Sequence, residues 1–255
     1  MRPGRYALPS FALAIVMAAV ISAEGAQAGE PLAVVARMEA SYAPVRDYTA
    51  IFLKRERVQG VLGDQEVMQL KYQKPFRVYL RWLTGPKEGR EVLYVGGANG
   101  DRLLVYDPSG IQRFFTLLMS PRDARAMRES RHPITEIGIG KLIELIAQNA
   151  RRAWARGELR LIDHGAGEEG GRPVWRYEGI LPDDPTKGYF CARLGLAIDR
   201  ESGLPVRAQI YESDGSLVGD YTYKDLRVNP GLAPQEFDPA NPAYQFPRMR
   251  LTLSG

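Results

Sequence analysis

The sequence has little of the chemistry that cysteine and histidine supply. Its 255 residues include one cysteine, Cys191, and two histidines, His132 and His164. A lone cysteine excludes an intrachain disulfide framework, an iron–sulfur cluster and a zinc site built from several cysteines. Two histidines nearly exclude a histidine-based metal site as well. We therefore expect no metal and no cofactor, and we interpret each histidine as a surface or turn residue.

The chain also lacks a strong excess of one charge and the familiar catalytic motifs. Its formal net charge is +4, which falls short of the basic surface of a nucleic-acid-binding protein. There is no G-x-S-x-G elbow, HExxH, Walker A or Rossmann glycine motif. The acidic pairs Glu168-Glu169 and Asp183-Asp184 lie in predicted loops and give no sign of a catalytic dyad. We expect no nucleic-acid partner, no catalytic residue and no enzymatic activity.

Long apolar runs are absent except at the N-terminus. The uncharged run Phe11–Ile21 follows a basic start and precedes an A-x-A sequence that ends at Ala28. This pattern predicts a secretory signal peptide over residues 1–28, cleaved after Ala28. The run is shorter than the roughly 20 apolar residues of a membrane-spanning helix, although an uncleaved anchor is the alternative. We expect an exported, periplasmic protein with a single mature domain over residues 29–255.

The mature chain is predicted to be mostly strands. A helical spacing of apolar residues over Pro31–Tyr42 predicts one short amphipathic helix. Apolar and polar residues then alternate, which places one row of side chains on each face of a strand. Two helices interrupt the strands, one reaching about Glu129 and a longer one that follows Thr135, runs to about Ala155 and is closed by Gly157. Strands resume with Leu159–Asp163, which a glycine-rich turn follows, and continue as far as Val228. The prediction is an α+β fold with one large antiparallel sheet and helices inserted in mid-chain.

The sequence pattern does not determine whether the space between the sheet and the helices is filled. One apolar face roofed by amphipathic helices can close to a filled core or leave a lipid-sized cavity, and we favour the filled core. The alternation places no polar cluster on the face that the helices cover.

Two parts of the sequence resemble a known family. The first is Asp47–Glu56 with Lys74-Pro75-Phe76, and the second runs from Leu204 through Tyr221–Leu232 to Phe246. Both are similar to the DUF1571 proteins, an exported bacterial family of unknown function. In layout they resemble the LolA-like superfamily of lipoprotein carriers. The resemblance covers roughly residues 30–246.

The resemblance implies a strongly curved antiparallel sheet, an open half-barrel, with an N-terminal helix and mid-chain helices that plug its concave face. It also implies a periplasmic protein that binds or carries lipid, an acyl chain or a lipoprotein, with membrane contact transient if any. The alternative is a partner-binding or envelope-sensing module with a filled core and no ligand, whose partner is an envelope protein. The expected cavity lining is Phe52, Met68, Leu70, Tyr72, Val78, Leu80, Trp82, Ile139, Leu142 and Ile146.

Overall fold

The computed structural model describes residues 30–253. The predicted signal peptide and its cleavage site after Ala28 lie outside them. The described part begins with helix α1 (Pro31–Tyr42), at the bounds that the apolar spacing predicts. Proline suits the first helical position because the N–H that it lacks has no partner within the helix there. One side of α1 is buried through Val34, Val35 and Met38.

Thirteen strands are described, seven of them before the long inserted helix and six after it. The first group comprises β1 (Asp47–Val58), β2 (Val61–Leu62), β3 (Glu66–Gln73), β4 (Arg77–Trp82), β5 (Glu91–Val95), β6 (Leu103–Tyr106) and β7 (Thr116–Met119). The second comprises β8 (Arg160–Glu169), β9 (Arg172–Ile180), β10 (Arg193–Asp199), β11 (Pro205–Tyr211), β12 (Leu217–Val228) and β13 (Arg250–Thr252).

These strands form one open sheet. Its order is β13-β7-β6-β5-β4-β3-β1-β12-β11-β10-β9-β8, and β2 pairs with β1 outside this path. The β13–β7 pair is parallel and every other described pair is antiparallel. The ends of the sheet, β13 and β8, do not meet. The predicted α+β class with an open antiparallel half-barrel is confirmed.

The register turns the predicted alternation into rows of side chains across the sheet. Phe52 on β1 lies opposite Met68 on β3 and Tyr223 on β12. The next row joins β1, β3, β4, β5, β6 and β7 through Ala50, Leu70, Leu80, Val92, Val105 and Leu117. The face that carries these rows is here called the concave face.

Two helices lie between β7 and β8. Helix α2 (Ala124–Met127) is shorter than predicted, and α3 (Ile139–Trp154) begins three residues later than predicted. The late start has a local cause, since Gly138 adopts φ +110 and interrupts the helical geometry. Beyond the other end, Gly157 has φ +67 and takes part in Schellman-type hydrogen bonds, as predicted for the residue that closes this helix.

The opposite, convex face is covered by the C-terminal segment. Tyr244 stacks on Tyr79 with ring centroids 4.0 Å apart, and Phe237 is buried beside them. The Nζ of Lys71 lies 5.1 Å from the centroid of the Tyr244 ring and donates a hydrogen bond to Glu236. The aromatic residues near Phe246 that carry the family resemblance therefore act as packing groups on the convex side.

The structure adds strands that the sequence pattern missed. The strands β7 and β13 were not predicted, because three or four residues are too few to show an alternation. Strand β8 extends to Glu169, past the predicted end at Asp163, through a bulge at Asp163/Gly165. The glycine-rich stretch after Asp163 is thus partly strand, with its turn at Gly170 and Gly171.

Candidate ligand-binding cavity

A cavity of about 750 Å³ lies against the concave face. Its floor is mainly the part of the sheet from β1 to β7, with contributions from β11, β12 and β13, and its roof is helix α3 together with residues 120–138, here called the inserted segment. Most of its wall is apolar. Besides predicted residues, this wall includes Val92, Leu103, Val105, Leu117, Met119, Ile134, Ile137, Leu145, Ile210, Leu251 and Leu253.

The ten residues expected to line a cavity divide into two groups of five. The structure places Phe52, Met68, Leu80, Trp82 and Leu142 in the cavity wall. The other five lie outside that wall and belong to the packed core: Leu70, Tyr72, Val78, Ile139 and Ile146. Each of these five is at most 5% exposed. The concave face is therefore filled at one end and hollow at the other. The filled core that the sequence pattern favours is present at only one end.

Tyrosine side chains fill the packed end. Tyr48 is fully buried and stacks on Tyr72 with centroids 4.9 Å apart. Its hydroxyl accepts a hydrogen bond from the backbone N–H of Ile139 at 3.0 Å, which holds the first residue of α3 against β1. The N-terminal helix packs beside α3, and Leu70 is fully buried in the core at this end.

The hollow end carries a polar cluster that the sequence analysis did not place there. Lys54 and Glu56 follow Phe52 at intervals of two residues, so both point to the concave face. Glu56 is only 6% exposed. The expectation of a concave face without polar groups is wrong, because β1 continues through its charged residues as far as Val58. The two-residue period, continued past Phe52, would have found them.

These two residues start a chain of alternating charges along the cavity. Lys54 Nζ lies 3.4 Å from Glu56 Oε2 and 3.0 Å from Glu66 Oε2. Lys87 Nζ lies 2.6 Å from Glu66 Oε1. We call the whole set the ion chain; its members in order are Glu56, Lys54, Glu66, Lys87, Glu129, Arg90 and Asp107.

The ion chain ties the inserted segment to the sheet. Glu129 belongs to that segment, and its Oε2 lies 2.8 Å from Lys87 Nζ and 2.6 Å from Arg90 Nη1. Arg90 continues to Asp107 at 2.5 Å. At the other end, Glu56 accepts a hydrogen bond from Ser130 Oγ at 3.1 Å. Strand β1 and the loop between β4 and β5 thereby hold Glu129 and Ser130, just beyond the end of α2.

Partners in the ion chain decide its protonation. Burial by itself raises the pKa of Glu56, but Lys54, the Tyr221 hydroxyl and the Arg131 N–H together outweigh it and lower the pKa. Burial likewise opposes the charged form of Lys54, yet Glu56 and Glu66 raise its pKa. Glu56 and Lys54 are consequently charged at neutral pH. The cavity at the hollow end thus has one apolar wall and one wall of charged side chains that form ion pairs with each other.

The opening of the cavity can be located from the lining residues that remain exposed. They are Gln112, Arg128, Glu129, Glu136, Lys141, Glu144, Gln148 and Leu251. The opening therefore runs from the outer side of α3, past the inserted segment, to the sheet edge at β13 and the turn before β7.

The two histidines each contact a glutamate, and the single cysteine is buried. His132 Nδ1 is 3.2 Å from Glu136 Oε2, and His164 Nε2 is 3.0 Å from Glu178 Oε2. Burial raises the pKa of the Cys191 thiol to about 12, so it is protonated and weakly nucleophilic at neutral pH. Among residues 30–253 there is no group of three metal-ligating side chains. In the same range no helix has the length and apolar character to cross a membrane.

The described residues thus form an open antiparallel half-barrel with a largely apolar cavity under inserted helices. The chain belongs to the family described as "Protein of unknown function (DUF1571)", whose model matches residues 45–246. The family membership expected from the sequence is confirmed. A search of curated proteins found no significant match to this chain.

Solved structures of similar layout come from several bacteria. The MucA/MucB complex of Pseudomonas aeruginosa matches with 16% identity and a TM-score of 0.48, covering 82% of this chain and 60% of that chain. This chain therefore spans less than two thirds of the length of MucB. The lipoprotein LppX of Mycobacterium tuberculosis matches with 14% identity and a TM-score of 0.48, covering 82% and 98%.

A third similar structure carries the superfamily name itself. It is a LolA superfamily protein from Nitrosomonas europaea, with 12% identity, a TM-score of 0.34 and coverage of 82% of this chain and 97% of that one. Similarities this low do not indicate what the present chain binds.

Proposed function

We propose that this protein binds or carries a hydrophobic ligand in the cavity of its concave face. The ligand class is lipid, an acyl chain or the acylated end of a lipoprotein. The observation that carries the proposal is the cavity of about 750 Å³ with a largely apolar wall. Its size falls within the roughly 300–1,000 Å³ range of small-molecule sites.

The physical need for such a protein follows from the predicted export. Apolar transfer out of water is worth about 0.8 kcal/mol per CH₂, so a chain of about 14 carbons needs roughly 11 kcal/mol of shelter in an aqueous compartment. The periplasm is such a compartment. The wall around Phe52, Leu80 and Trp82 offers this shelter.

A partner-binding or envelope-sensing module is the second candidate. The packed end of the concave face, with Tyr48 and Leu70 buried under α1 and α3, fits the filled core that this alternative assumes. It predicts a stable complex with an envelope protein and no ligand in the cavity. The hollow end favours the carrier.

Native mass spectrometry distinguishes the two candidates. The protein is purified from a bacterial periplasm without detergent, and solvent extracts of the same sample are analysed for lipid. We expect a stoichiometric lipid or acyl adduct, or, for a transient carrier, an unliganded protein that takes up the fluorescent fatty acid cis-parinaric acid. An unliganded mass together with no uptake of this probe contradicts the proposal.

A substitution that fills the cavity tests the site itself. Leu145 lies half-buried in the cavity wall on α3. We expect Leu145→Trp to weaken cis-parinaric acid binding roughly tenfold, about 1.4 kcal/mol, because the indole occupies ligand space. The matched control is Leu53→Trp, since Leu53 is half-buried on β1 but points away from the concave face. Equal probe affinity in the two folded variants contradicts the assigned site.

A further inference from the structure

A cluster of exposed apolar side chains lies where the cavity opens at the sheet edge. Ile111, Phe114 and Met249 are 74%, 56% and 62% exposed, and Leu251 is 45% exposed. They come from two short stretches, the 3₁₀ turn over Gly110–Phe114 and the chain around β13. We call these four residues and the arginines between them the rim patch.

Backbone contacts hold the two stretches together. The N–H of Thr116, two residues after Phe114, donates to the carbonyl oxygen of Met249 at 2.8 Å. Its hydroxyl donates to the carbonyl oxygen of Pro247 at 2.7 Å. Parallel pairing of β13 with β7 continues from this point. The apolar residues before β7 and those around β13 therefore form one surface.

Positive charge is interleaved with these apolar residues. Arg113, Arg248 and Arg250 are all exposed, and residues 109–114 and 247–253 contain no acidic side chain. The Arg113 guanidinium lies 4.8 Å from the centroid of the Phe114 ring. None of the three arginines forms an ion pair within the described chain, in contrast to the arginine of the ion chain. Such a surface complements anionic lipid headgroups while its apolar members reach the acyl boundary.

The rim patch is continuous with the cavity. Leu251 belongs to both, and Gln112 and Leu253 line the opening on the same side. An acyl chain leaving a bilayer against this surface reaches the cavity wall without crossing bulk water. Since large exposed apolar patches mark interaction sites, we propose that the rim patch docks the protein reversibly on an anionic membrane surface. This inference concerns a surface outside the cavity and goes beyond the proposed ligand binding.

Vesicle flotation with the protein from the periplasm tests the docking surface. The vesicles are phosphatidylcholine alone, or phosphatidylcholine with phosphatidylglycerol in a three-to-one ratio. We expect flotation with the anionic vesicles, weakened by added salt as exposed charges are screened. Flotation that is equal with both vesicle types, or absent with both, overturns the proposal.

Two sets of substitutions separate the apolar and charged contributions. The variant Arg113→Gln/Arg248→Gln/Arg250→Gln is expected to lose affinity for anionic vesicles on the order of a hundredfold, from the contribution of each basic residue near such a surface. The variant Ile111→Ser/Phe114→Ser/Met249→Ser is expected to lose flotation as well. Leu251 is left unchanged because it lines the cavity. Unaltered flotation of both variants contradicts the assignment.

Matched controls come from exposed residues elsewhere on the chain. They are Val61→Ser, which is 72% exposed on the β2 hairpin, and the triple variant Arg156→Gln/Arg160→Gln/Arg227→Gln. Both are expected to float like the unaltered protein, and a loss in the arginine control overturns the local assignment in favour of net charge.

Two further measurements test whether a second copy of the chain occupies the rim patch, and separate membrane docking from ligand binding in the cavity. The first is sedimentation of the protein in the absence of vesicles. A dimer that forms there and is abolished in the apolar variant assigns the rim patch to a second copy of the chain and overturns the membrane proposal. Binding of cis-parinaric acid is measured in every variant. Vesicle docking without probe binding defeats the ligand-binding function alone, and probe binding without docking defeats this inference alone.

Discussion

Gly138 is the residue that decides where the long helix meets the sheet. Its φ of +110 is a conformation that side-chain-bearing residues rarely adopt, and a Cβ built there lies 2.8 Å from the Tyr48 hydroxyl. That hydroxyl is the acceptor for the N–H of Ile139. A side chain at residue 138 therefore strains the backbone and disturbs the only described side-chain hydrogen bond to the first residue of α3.

We expect Gly138→Ala to destabilise the protein by about 1–3 kcal/mol, the usual cost of a backbone held in a sparsely populated region. For a domain of this size, each kcal/mol lowers Tm by roughly 2–4 °C. Calorimetry of the purified protein measures the shift. Gly179→Ala is the matched control, because Gly179 has no positive φ and a Cβ added there meets no other atom within 4 Å. An equal Tm in both variants contradicts the role of Gly138.

Between elements, the ion chain makes attachment of the inserted segment sensitive to acid. The carboxyl groups of Glu56, Glu66, Glu129 and Asp107 all have pKa values below their usual range; burial opposes ionisation in each, but the cationic and hydrogen-bonding partners outweigh it. A lowered pKa in the folded state contributes stability above the ordinary value, near 4.3 for Glu. That contribution is lost as pH falls through the lowered values.

We expect amide exchange in the inserted segment to quicken more than in the packed end as pH drops from 5 to about 3, after correction for intrinsic exchange rates. The Glu129→Gln variant is expected to show faster exchange there at neutral pH, by roughly fivefold, since two partly exposed pairs contribute about 0.2–1 kcal/mol each. Glu144→Gln, which removes the exposed pair with Lys141, is the control. Equal exchange rates in the inserted segment of the two variants contradict a role of Glu129 in holding that segment to the sheet.

For the whole molecule, ligand binding and stability are linked. A ligand that binds only the folded state at about 100 times its Kd stabilises that state by about 2.7 kcal/mol. We therefore expect cis-parinaric acid to raise Tm by about 5–10 °C at that excess. Leu145→Trp is expected to lose most of this shift and Leu53→Trp to keep it. A Tm independent of probe concentration contradicts ligand binding in the cavity.

Several features of the molecule follow from local patterns in the sequence. The alternation at Tyr48, Ala50 and Phe52 predicts which side chains share a face, because successive residues of a strand point to opposite sides. The apolar spacing predicts α1 at its observed bounds. The residues quoted for the family resemblance also predicted membership in the DUF1571 family correctly.

Only the tertiary structure decided which part of that face is filled. Leu70 and Leu80 are cross-strand neighbours in one row with the same apolar pattern and both are buried in the core, yet Leu80 lines the cavity and Leu70 does not. A two-residue period specifies a face but not what lies above it, which depends on contacts between distant segments. The period also assigns Lys54 and Glu56 to this face, but their partners Ser130 and Tyr221 come from distant segments that only the tertiary structure brings together.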